Sequence, residues 1–204
     1  MGLFISLEGI DGSGKSTITA LVKDHFEALN QPIIVTREPG GNVIAEKIRD
    51  IILDKDNHTM DDRTEALLYA ASRRQHLIEK ILPALDEGKL VVCDRFVDSS
   101  IAYQGYGREI GAQAVKDINA FAIEGHMPTL TIFLDVDLEV GLSRVDTRGE
   151  MDRLETSGRD FFERVYNGYQ EIIADNERVV KIDANRELEA VVKDVIEIIE
   201  SRWL

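Results

Sequence analysis

The chain has 204 residues, a formal net charge of −14, and apolar and charged shares of 44% and 30%. This composition is typical of a globular protein that buries a core. The acidic balance argues against a nucleic-acid partner, because nucleic-acid binders usually carry a basic excess. No apolar run approaches about 18 residues and no secretory leader is recognisable, so we expect no membrane partner. The single cysteine, Cys93, cannot form an internal disulfide, which favours a cytoplasmic location.

Short apolar runs alternate with segments of helical periodicity along the chain. In chain order they predict a strand at 3–7, a helix at 17–29, a strand at 33–36, helices at 43–53 and 64–86, a strand at 90–93, helices at 99–103 and 112–123, a strand at 130–136, helices at 138–145 and 161–173, a strand at 179–182 and a helix at 187–201. Parallel strands need helical crossovers and are apolar on both faces. The pattern therefore predicts an α/β fold with a doubly wound, five-stranded parallel sheet flanked by helices. No repeat or linker divides residues 1–204, so we interpret them as one domain with a short mobile lid at about 144–158.

A phosphate-binding motif, G-x-x-x-x-G-K-S/T, lies between the first predicted strand and the first predicted helix. Its glycines allow the main chain to approach phosphate closely, and its N–H groups and the helix N-terminus face the anion. Lys15 supplies a charge to the β- and γ-phosphates, and the Ser16 hydroxyl is placed to bind Mg²⁺. The predicted ATP-binding residues are Gly9, Ile10, Asp11, Gly12, Ser13, Gly14, Lys15, Ser16 and Thr17. The motif predicts a nucleoside triphosphate site.

Residues outside this motif distinguish between the classes of P-loop protein. No Asn-Lys-x-Asp guanine-recognition sequence is present, and no long apolar strand ends in Asp-Glu. This disfavours a GTPase and weakens the interpretation as a hydrolytic ATPase. Arg37 and Arg95 instead follow the second and third predicted strands, and ligands of open α/β sheets bind at those strand ends. Two guanidinium groups there indicate a site for an acceptor phosphate, and therefore a kinase.

Tyr69 and Arg73 are four residues apart on one predicted helix and share a face. An aromatic ring with a guanidinium group can stack on a nucleobase and donate a hydrogen bond to its carbonyl. A core tyrosine beside a surface arginine is the alternative interpretation. The phosphate-binding motif and the two arginines at the strand ends favour the nucleobase site.

Five segments carry a resemblance to a known family. They are 7–17 (LEGIDGSGKST), 36–41 (TREPGG), 69–73 (YAASR), 94–105 (DRFVDSSIAYQG) and 148–155 (RGEMDRLE). In order and spacing they resemble thymidylate kinases of the bacterial type, which are P-loop nucleoside monophosphate kinases. The 94–105 block is the most specific, because related kinases share the phosphate-binding motif but lack this block. The resemblance implies ATP-dependent phosphorylation of dTMP to dTDP in dTTP biosynthesis, with Mg²⁺, by a homodimer packed through helices.

The same resemblance implies a role for individual residues. Arg95 and Arg37 would hold the dTMP phosphate, and Asp94 would bind Mg²⁺ together with Ser16. The dTMP-binding residues would be Asp11, Arg37, Glu38, Arg49, Tyr69, Arg73, Arg95, Ser100, Tyr103 and Gln104. The catalytic residues would be Lys15, Asp94, Arg95, Arg148 and Arg153.

Five of these residues would recognise the nucleoside. Asp11 would accept a hydrogen bond from the sugar 3′-hydroxyl, and Tyr103 would crowd the 2′ position and so favour deoxyribose. Tyr69 would stack on thymine. Arg73 would donate to thymine O4, and Gln104 would bind the base edge.

One position departs from part of the family. Some thymidylate kinases carry a basic residue in the phosphate-binding motif where this chain has Gly12. The missing charge must then come from elsewhere, and the lid offers Arg144, Arg148 and Arg153. Of these we expect Arg148, beside Gly149, and Arg153 to act as an arginine finger does. Solvated surface arginines are the alternative.

Two other function classes stay open on the sequence. A deoxynucleoside kinase would use an uncharged hydroxyl acceptor, and a nucleotide-binding switch would need no acceptor pocket. Competition between thymidine and dTMP distinguishes the first. Absence of turnover with every nucleoside monophosphate would favour the second.

Overall fold

A computed structural model describes residues 2–149, 152–174 and 176–203; the side chain of Arg148 also lies outside the described part. Its sheet has five parallel strands in the order β2-β3-β1-β4-β5. They are β1 (Leu3–Glu8), β2 (Ile33–Arg37), β3 (Leu90–Asp94), β4 (Leu130–Asp135) and β5 (Val179–Asp183). The predicted sheet is confirmed, and each strand begins at its predicted residue and ends within one residue of the predicted end.

Helices connect the strands and cover both faces of the sheet. They are α1 (Lys15–Ala28), α2 (Val43–Leu53), α3 (Asp62–His76), α4 (Leu82–Asp86), α5 (Val97–Ser100), α6 (Ala112–Ile123), α7 (Leu138–Arg148), α8 (Arg159–Ile173) and α9 (Leu188–Trp203). A π-helical segment, Leu77–Ile81, joins α3 to α4, and a second one, Ile101–Gly107, continues α5. The helix predicted at 99–103 was therefore too short. Among the described residues, no helix combines the length and apolarity needed to cross a membrane.

Side chains of the central strand β1 point alternately to the two faces of the sheet and contribute to an apolar core on each face. Ile5 and Leu7 of β1 belong to the apolar cluster on one face of the sheet, and Phe4 belongs to the cluster on the other. All three are buried because β1 has a strand on each side and helices on both faces. Cys93 is fully buried in β3, as the apolar run around it predicts.

The carboxyl ends of β1, β2 and β3 meet at one edge of the sheet. Arg37 lies opposite Asp94 in the register of β2 and β3, and Leu7 lies opposite Asp94 in that of β1 and β3. The next residues extend the contacts: Glu38 N–H donates to the Asp94 carbonyl at 3.0 Å, and Arg95 N–H donates to the Leu7 carbonyl at 2.9 Å. The segments that follow these three strands are therefore adjacent in space, although they are far apart in the chain.

Candidate active site

The glycine-rich loop after β1 leads directly into α1, which begins at Lys15, two residues before the predicted start. Gly12 and Gly14 have φ angles of 79° and 89°, in the left-handed region where glycine is favoured. The Lys15 ammonium is buried and donates to the carbonyls of Gly9 and Ile10 at 3.0 and 2.8 Å. Burial, and secondarily the charge of Arg95, lowers the Lys15 pKa to about 8. An anion bound beside this ammonium would favour its charged form.

Two glycines bring α7 into contact with this loop. A Cβ added at Gly12 would lie 2.2 Å from the carbonyl oxygen of Gly141 in α7. A Cβ added at Gly141 would lie 2.8 Å from the carbonyl oxygen of Asp11. One helical turn after Gly141, Arg144 donates to the Gly12 carbonyl at 3.0 Å. This packing leaves no room for a side chain at Gly12, and it places an arginine of α7 on the loop.

A cavity of about 680 Å³ opens beside the loop. Lys15 and Ser16 line it, as do Arg144 and Asp152 from the segment predicted to be the lid. Every residue predicted to bind the acceptor also lines it: Asp11, Arg37, Glu38, Arg49, Tyr69, Arg73, Arg95, Ser100, Tyr103 and Gln104. The loop residues Gly9, Ile10 and Ser13 lie outside its lining, as does Arg153. One continuous space thus reaches from the phosphate-binding loop to the predicted acceptor residues.

Arg95 lies at the junction between the loop and the cavity, with a left-handed backbone at φ 69°. Its guanidinium group donates to an Asp11 carboxylate oxygen at 2.5 Å and to the Tyr103 hydroxyl at 3.1 Å. Tyr103 also donates to the other Asp11 oxygen at 2.8 Å. Burial acts to raise the Asp11 pKa, but Arg95 and Lys15 outweigh burial and hold the pKa below its ordinary value. The cation is therefore held in place by a charged partner that stays ionised.

Arg37 and Arg49 lie at the outer side of the cavity. Arg37 donates to Glu46 at 2.9 Å and is half exposed, and Arg49 donates to the Pro39 carbonyl at 2.9 Å. Burial, followed by the neighbouring charge of Arg37, lowers the Arg49 pKa. Together with Arg95, these side chains bring three guanidinium groups to the cavity, although the whole chain is acidic.

Asp94 and Ser16 form the candidate metal site. The Ser16 hydroxyl donates to Oδ2 of Asp94 at 3.3 Å. Oδ1 of Asp94 is buried and has no hydrogen-bond partner among the described residues. An unpaired carboxylate oxygen beside a hydroxyl is a donor set that suits Mg²⁺, so these residues fit the predicted metal.

Arg73 is fully buried in the cavity wall. Its Nε donates to Glu38 at 2.6 Å, and its other nitrogens donate to Ser100, to the Phe96 carbonyl and to Asn119. The interpretation of Arg73 as a surface arginine is therefore wrong. Tyr69 lies one turn earlier in α3, half-buried in the same cavity, as the spacing of four predicts.

Arg153 does not lie at the phosphate-binding loop in this structure. It is buried, donates from Nε to the Ile52 carbonyl at 2.7 Å, and forms an ion pair with Glu65 of α3 at 2.5 Å. Glu65 also accepts hydrogen bonds from Arg108 and from Nε2 of Gln104. The predicted lid thus connects through Glu65 to Gln104, which is one of the residues predicted to bind the base. The side chain of Arg148, the other predicted lid arginine, lies outside the described residues.

Two buried carboxylates of the site were missed by the sequence predictions. Glu8 accepts hydrogen bonds from the Phe96 N–H at 2.7 Å, from Ser99 at 2.5 Å and from Tyr169 at 3.1 Å. Burial, and secondarily the charge of Asp98, raises the Glu8 pKa to about 7. Glu65 is the second missed carboxylate.

A sequence signal existed for each missed residue. Glu8 closes an apolar strand, where a carboxylate must find partners when it is buried. Glu65 precedes Tyr69 by four residues and therefore shares the helix face of Tyr69 and Arg73.

Because the phosphate-binding loop and a cavity lined by arginines and tyrosines share one edge of a parallel sheet, the fold and site define a P-loop nucleotide kinase. Comparison with known proteins narrows this class. A profile of the family described as Thymidylate kinase matches residues 7–195. The thymidylate kinase of Pediococcus pentosaceus is 54% identical over 203 residues, which cover 98% of this chain and 97% of that protein. The thymidylate kinase of Enterococcus faecalis is 52% identical over 206 residues, which cover 99% and 97%.

A solved structure supports the same family. The crystal structure of thymidylate kinase from Ehrlichia chaffeensis superposes with a TM-score of 0.76 at 33% identity, and the alignment covers 97% of this chain and 98% of that chain. The chain belongs to the thymidylate kinase family.

Proposed function

We propose that this chain transfers the γ-phosphoryl group of ATP to the phosphate of dTMP, giving dTDP and ADP for dTTP biosynthesis. The continuous cavity that reaches from Lys15 and Ser16 to Tyr69 and Gln104 carries the proposal, and it is consistent with the family. A dTMP phosphate is already largely ionised near neutral pH, so the protein needs no strong general base. Its main contributions are alignment of the two phosphates and stabilisation of charge in the transition state.

On the donor side, Lys15 and the loop N–H groups bind the triphosphate. Gly9 through Thr17 form this site. Asp94 and Ser16 would hold Mg²⁺, which the unpaired Oδ1 of Asp94 supports. When bound, the ion would neutralise part of the phosphate charge.

On the acceptor side, Arg95 binds the dTMP phosphate with help from Arg37. The Arg95 guanidinium group also donates to the Gly9 carbonyl and to the Tyr169 hydroxyl. A phosphate offers oxygen acceptors that replace these contacts and the contact with Tyr103. Arg49 and Ser100 line the same cavity. Glu38 orients Arg73 through the 2.6 Å contact.

The nucleoside lies between the phosphate site and α3. Tyr69 stacks on the base, while Arg73 and Gln104 bind its edge. Asp11 accepts the sugar 3′-hydroxyl, and Tyr103 occupies the space that a 2′-hydroxyl would need. The hydrogen bond between Tyr103 and Asp11 supports their action as a pair on the sugar.

Residues 144–158 act as the lid and supply arginines to the transferring phosphoryl group. Gly12 carries no cation, so the charge comes from Arg148, from Arg153, or from both after closure. Arg153 must then exchange Glu65 for phosphate. Arg144, which already contacts the loop, is a third source.

We also propose that residues 1–204 act as one domain and pair as a cytoplasmic homodimer. The five strands from 3 to 183 share one sheet, so one cooperative unfolding transition is expected. Exposed apolar side chains on α2, α3 and α6, including Ile44, Leu67 and Phe121, support pairing through helices. A single buried cysteine is compatible with the cytoplasm, and cell fractionation tests this location.

An acceptor panel tests the function directly. ADP release is measured with dTMP, dUMP, dCMP, dGMP, AMP and thymidine as acceptors. We expect dTMP to give the highest kcat/KM; faster turnover of AMP or thymidine would contradict the proposal. The Arg95→Ala variant is the matched site control, because it should lose dTMP binding while ATP binding changes less. Equal loss of both would contradict the role of Arg95.

A further inference from the structure

The carboxamide of Gln104 has one partnered end and one free end. Its Nε2 donates to Oε1 of Glu65 at 2.9 Å. Its Oε1 is buried and has no hydrogen-bond partner among the residues that the structure describes. Gln104 is only 1% exposed and lines the cavity. A buried acceptor without a donor costs about 1–3 kcal/mol, so the site is built for a ligand that brings an N–H group to this oxygen.

Glu65 determines which end of the carboxamide is free. The carboxylate is fully buried and already accepts from Arg108 at 3.1 Å and from Arg153 at 2.5 Å. Its remaining contact must also be a donor, because an ionised carboxylate only accepts hydrogen bonds. Rotation of Gln104 by 180° would place its oxygen against the oxygen of Glu65. The contact therefore fixes the orientation of Gln104.

The free acceptor distinguishes between pyrimidines. Thymine and uracil carry a hydrogen on N3, whereas N3 of neutral cytosine has a lone pair and would repel Oε1 of Gln104. Arg73 lines the same cavity, and its guanidinium group, which can only donate hydrogen bonds, complements a carbonyl at position 4 but not the amino group of cytosine.

We infer that Glu65 is a positioning residue for base selection: it holds Gln104 with its oxygen toward the base and so selects 4-oxo pyrimidines with an N3–H group. This inference rests on the proposed function and adds to it a residue that does not itself contact the nucleotide. Glu65→Gln relaxes the constraint, because a neutral amide can pair with Gln104 in either orientation.

The test compares kcat/KM for dUMP and dCMP, which both lack the 5-methyl group, and for dTMP. In the wild-type protein we expect dUMP to exceed dCMP by about 100-fold or more. In Glu65→Gln this ratio should fall by about 10-fold or more, mainly through KM, because any effect transmitted through Arg153 is common to both substrates. Arg108→Gln is the matched control: it removes a partner of Glu65 without touching Gln104, so the ratio should stay at the wild-type value.

The swapped pair Glu65→Gln with Gln104→Glu provides a rescue. It restores one donor and one acceptor at the contact and again leaves an oxygen for the base, so discrimination should recover. An unchanged ratio in Glu65→Gln would overturn the inference while leaving the proposed function intact. Failure of the wild-type protein to use dTMP would overturn both.

If Glu65→Gln does not fold, the variant Gln104→Glu tests whether Glu65 positions Gln104. Gln104→Glu keeps an acceptor toward the base but loses the N–H that Glu65 accepts. We expect it to raise KM for dTMP as much as Gln104→Leu does. A wild-type KM in Gln104→Glu would show that Glu65 does not position this side chain.

Discussion

At the scale of single residues, two buried carboxylates support residues that are predicted to bind the acceptor: Glu8 contacts the turn at Arg95, and Glu65 contacts Gln104. Arg95 has a left-handed backbone, a conformation that costs energy outside glycine. Glu8 stabilises this turn by accepting the N–H of the next residue, Phe96, and the hydroxyls of Ser99 and Tyr169. Tyr169 belongs to α8, which follows the predicted lid, so Glu8 also connects that helix to the turn at Arg95.

The Glu8→Gln substitution predicts a change in how stability depends on pH. The pKa of the carboxyl rises from 4.5 to about 7 on folding. Below pH 4.5 it is protonated in both the folded and the unfolded states, so its contribution is fully present. Between pH 4.5 and 7 only the unfolded chain ionises, and the folded state loses about 3 kcal/mol relative to it. Glutamine does not titrate, so the free energy of unfolding of the variant minus that of wild type should rise by about this amount from pH 4.5 to pH 8.

Urea unfolding across this pH range measures the difference. A difference that stays constant with pH would contradict the prediction, whereas a constant offset added to the pH-dependent rise would reflect packing. The hydrogen bonds can be retained by glutamine, because its oxygen can accept from Phe96 while its amide donates to the hydroxyls.

At the scale of elements, the contact between the phosphate-binding loop and α7 explains Gly12. A basic side chain at this position is compatible with the family but not with this packing, because Gly141 lies directly against it. The absence of a basic side chain at position 12 and the close approach of α7 to the loop therefore occur together. The same approach places Arg144 on the loop.

Gly12→Ala should destabilise the protein by about 2 kcal/mol or more and raise KM for ATP. Its Cβ would overlap the Gly141 carbonyl, and alanine disfavours a φ of 79°. Gly88→Ala is the matched control, since Gly88 has the same φ of 79° and open space around its Cβ position. Thermal unfolding and ATP kinetics should show the excess effect at Gly12. Equal losses at both positions would mean that the α7 contact contributes nothing.

The lid proposal predicts kinetic effects of a particular kind. Single alanine substitutions at Arg148 and Arg153 should lower kcat more than they raise KM for dTMP, because the charge acts on the transferring phosphoryl group. Arg144→Ala, measured in parallel, determines whether the arginine already on the loop shares this role. Arg159→Ala is the control, because Arg159 is exposed and pairs with Glu139 and Glu163. Wild-type kcat in both Arg148→Ala and Arg153→Ala would contradict the lid proposal.

At the scale of the whole molecule, apolar surface is concentrated on helices that pack side by side. α3 packs against both α2 and α6, and Phe121 of α6 is 89% exposed. A large aromatic side chain in water is typical of an interface. Ile44, Leu67 and Phe121 are not among the residues that line the cavity, so pairing through them is compatible with an open cavity.

Phe121→Glu should therefore weaken the homodimer. Sedimentation velocity is expected to show a dimer for wild type and a concentration-dependent shift to monomer for the variant, because burying the new carboxylate is costly. Leu29→Glu is the control: Leu29 is exposed, directly follows the end of α1 and belongs to none of these helices. A monomeric wild-type protein, or an unchanged dimer in Phe121→Glu, would contradict the proposal.

The sequence predicted the secondary structure closely because its signals are local. Each strand is a short apolar run, and α2 and α6 begin and end at their predicted residues. The helix predicted at 99–103 missed the continuation of α5 as a π-helical segment to Gly107. The phosphate-binding loop was also predictable, since its glycines, Lys15 and Ser16 are neighbours in the chain.

By itself, the sequence determined where the strands and helices lie, the triphosphate loop, and which arginines follow the strand ends. Only the tertiary structure decided which donor meets which acceptor. Arg153 pairs with Glu65 from 88 positions earlier in the chain, Glu8 supports the turn at Phe96, and Gln104 is oriented by a residue of α3. The physical reason is that local propensity depends on neighbours within a few residues, whereas a buried charge takes its partners from whichever elements the packing brings within about 3 Å.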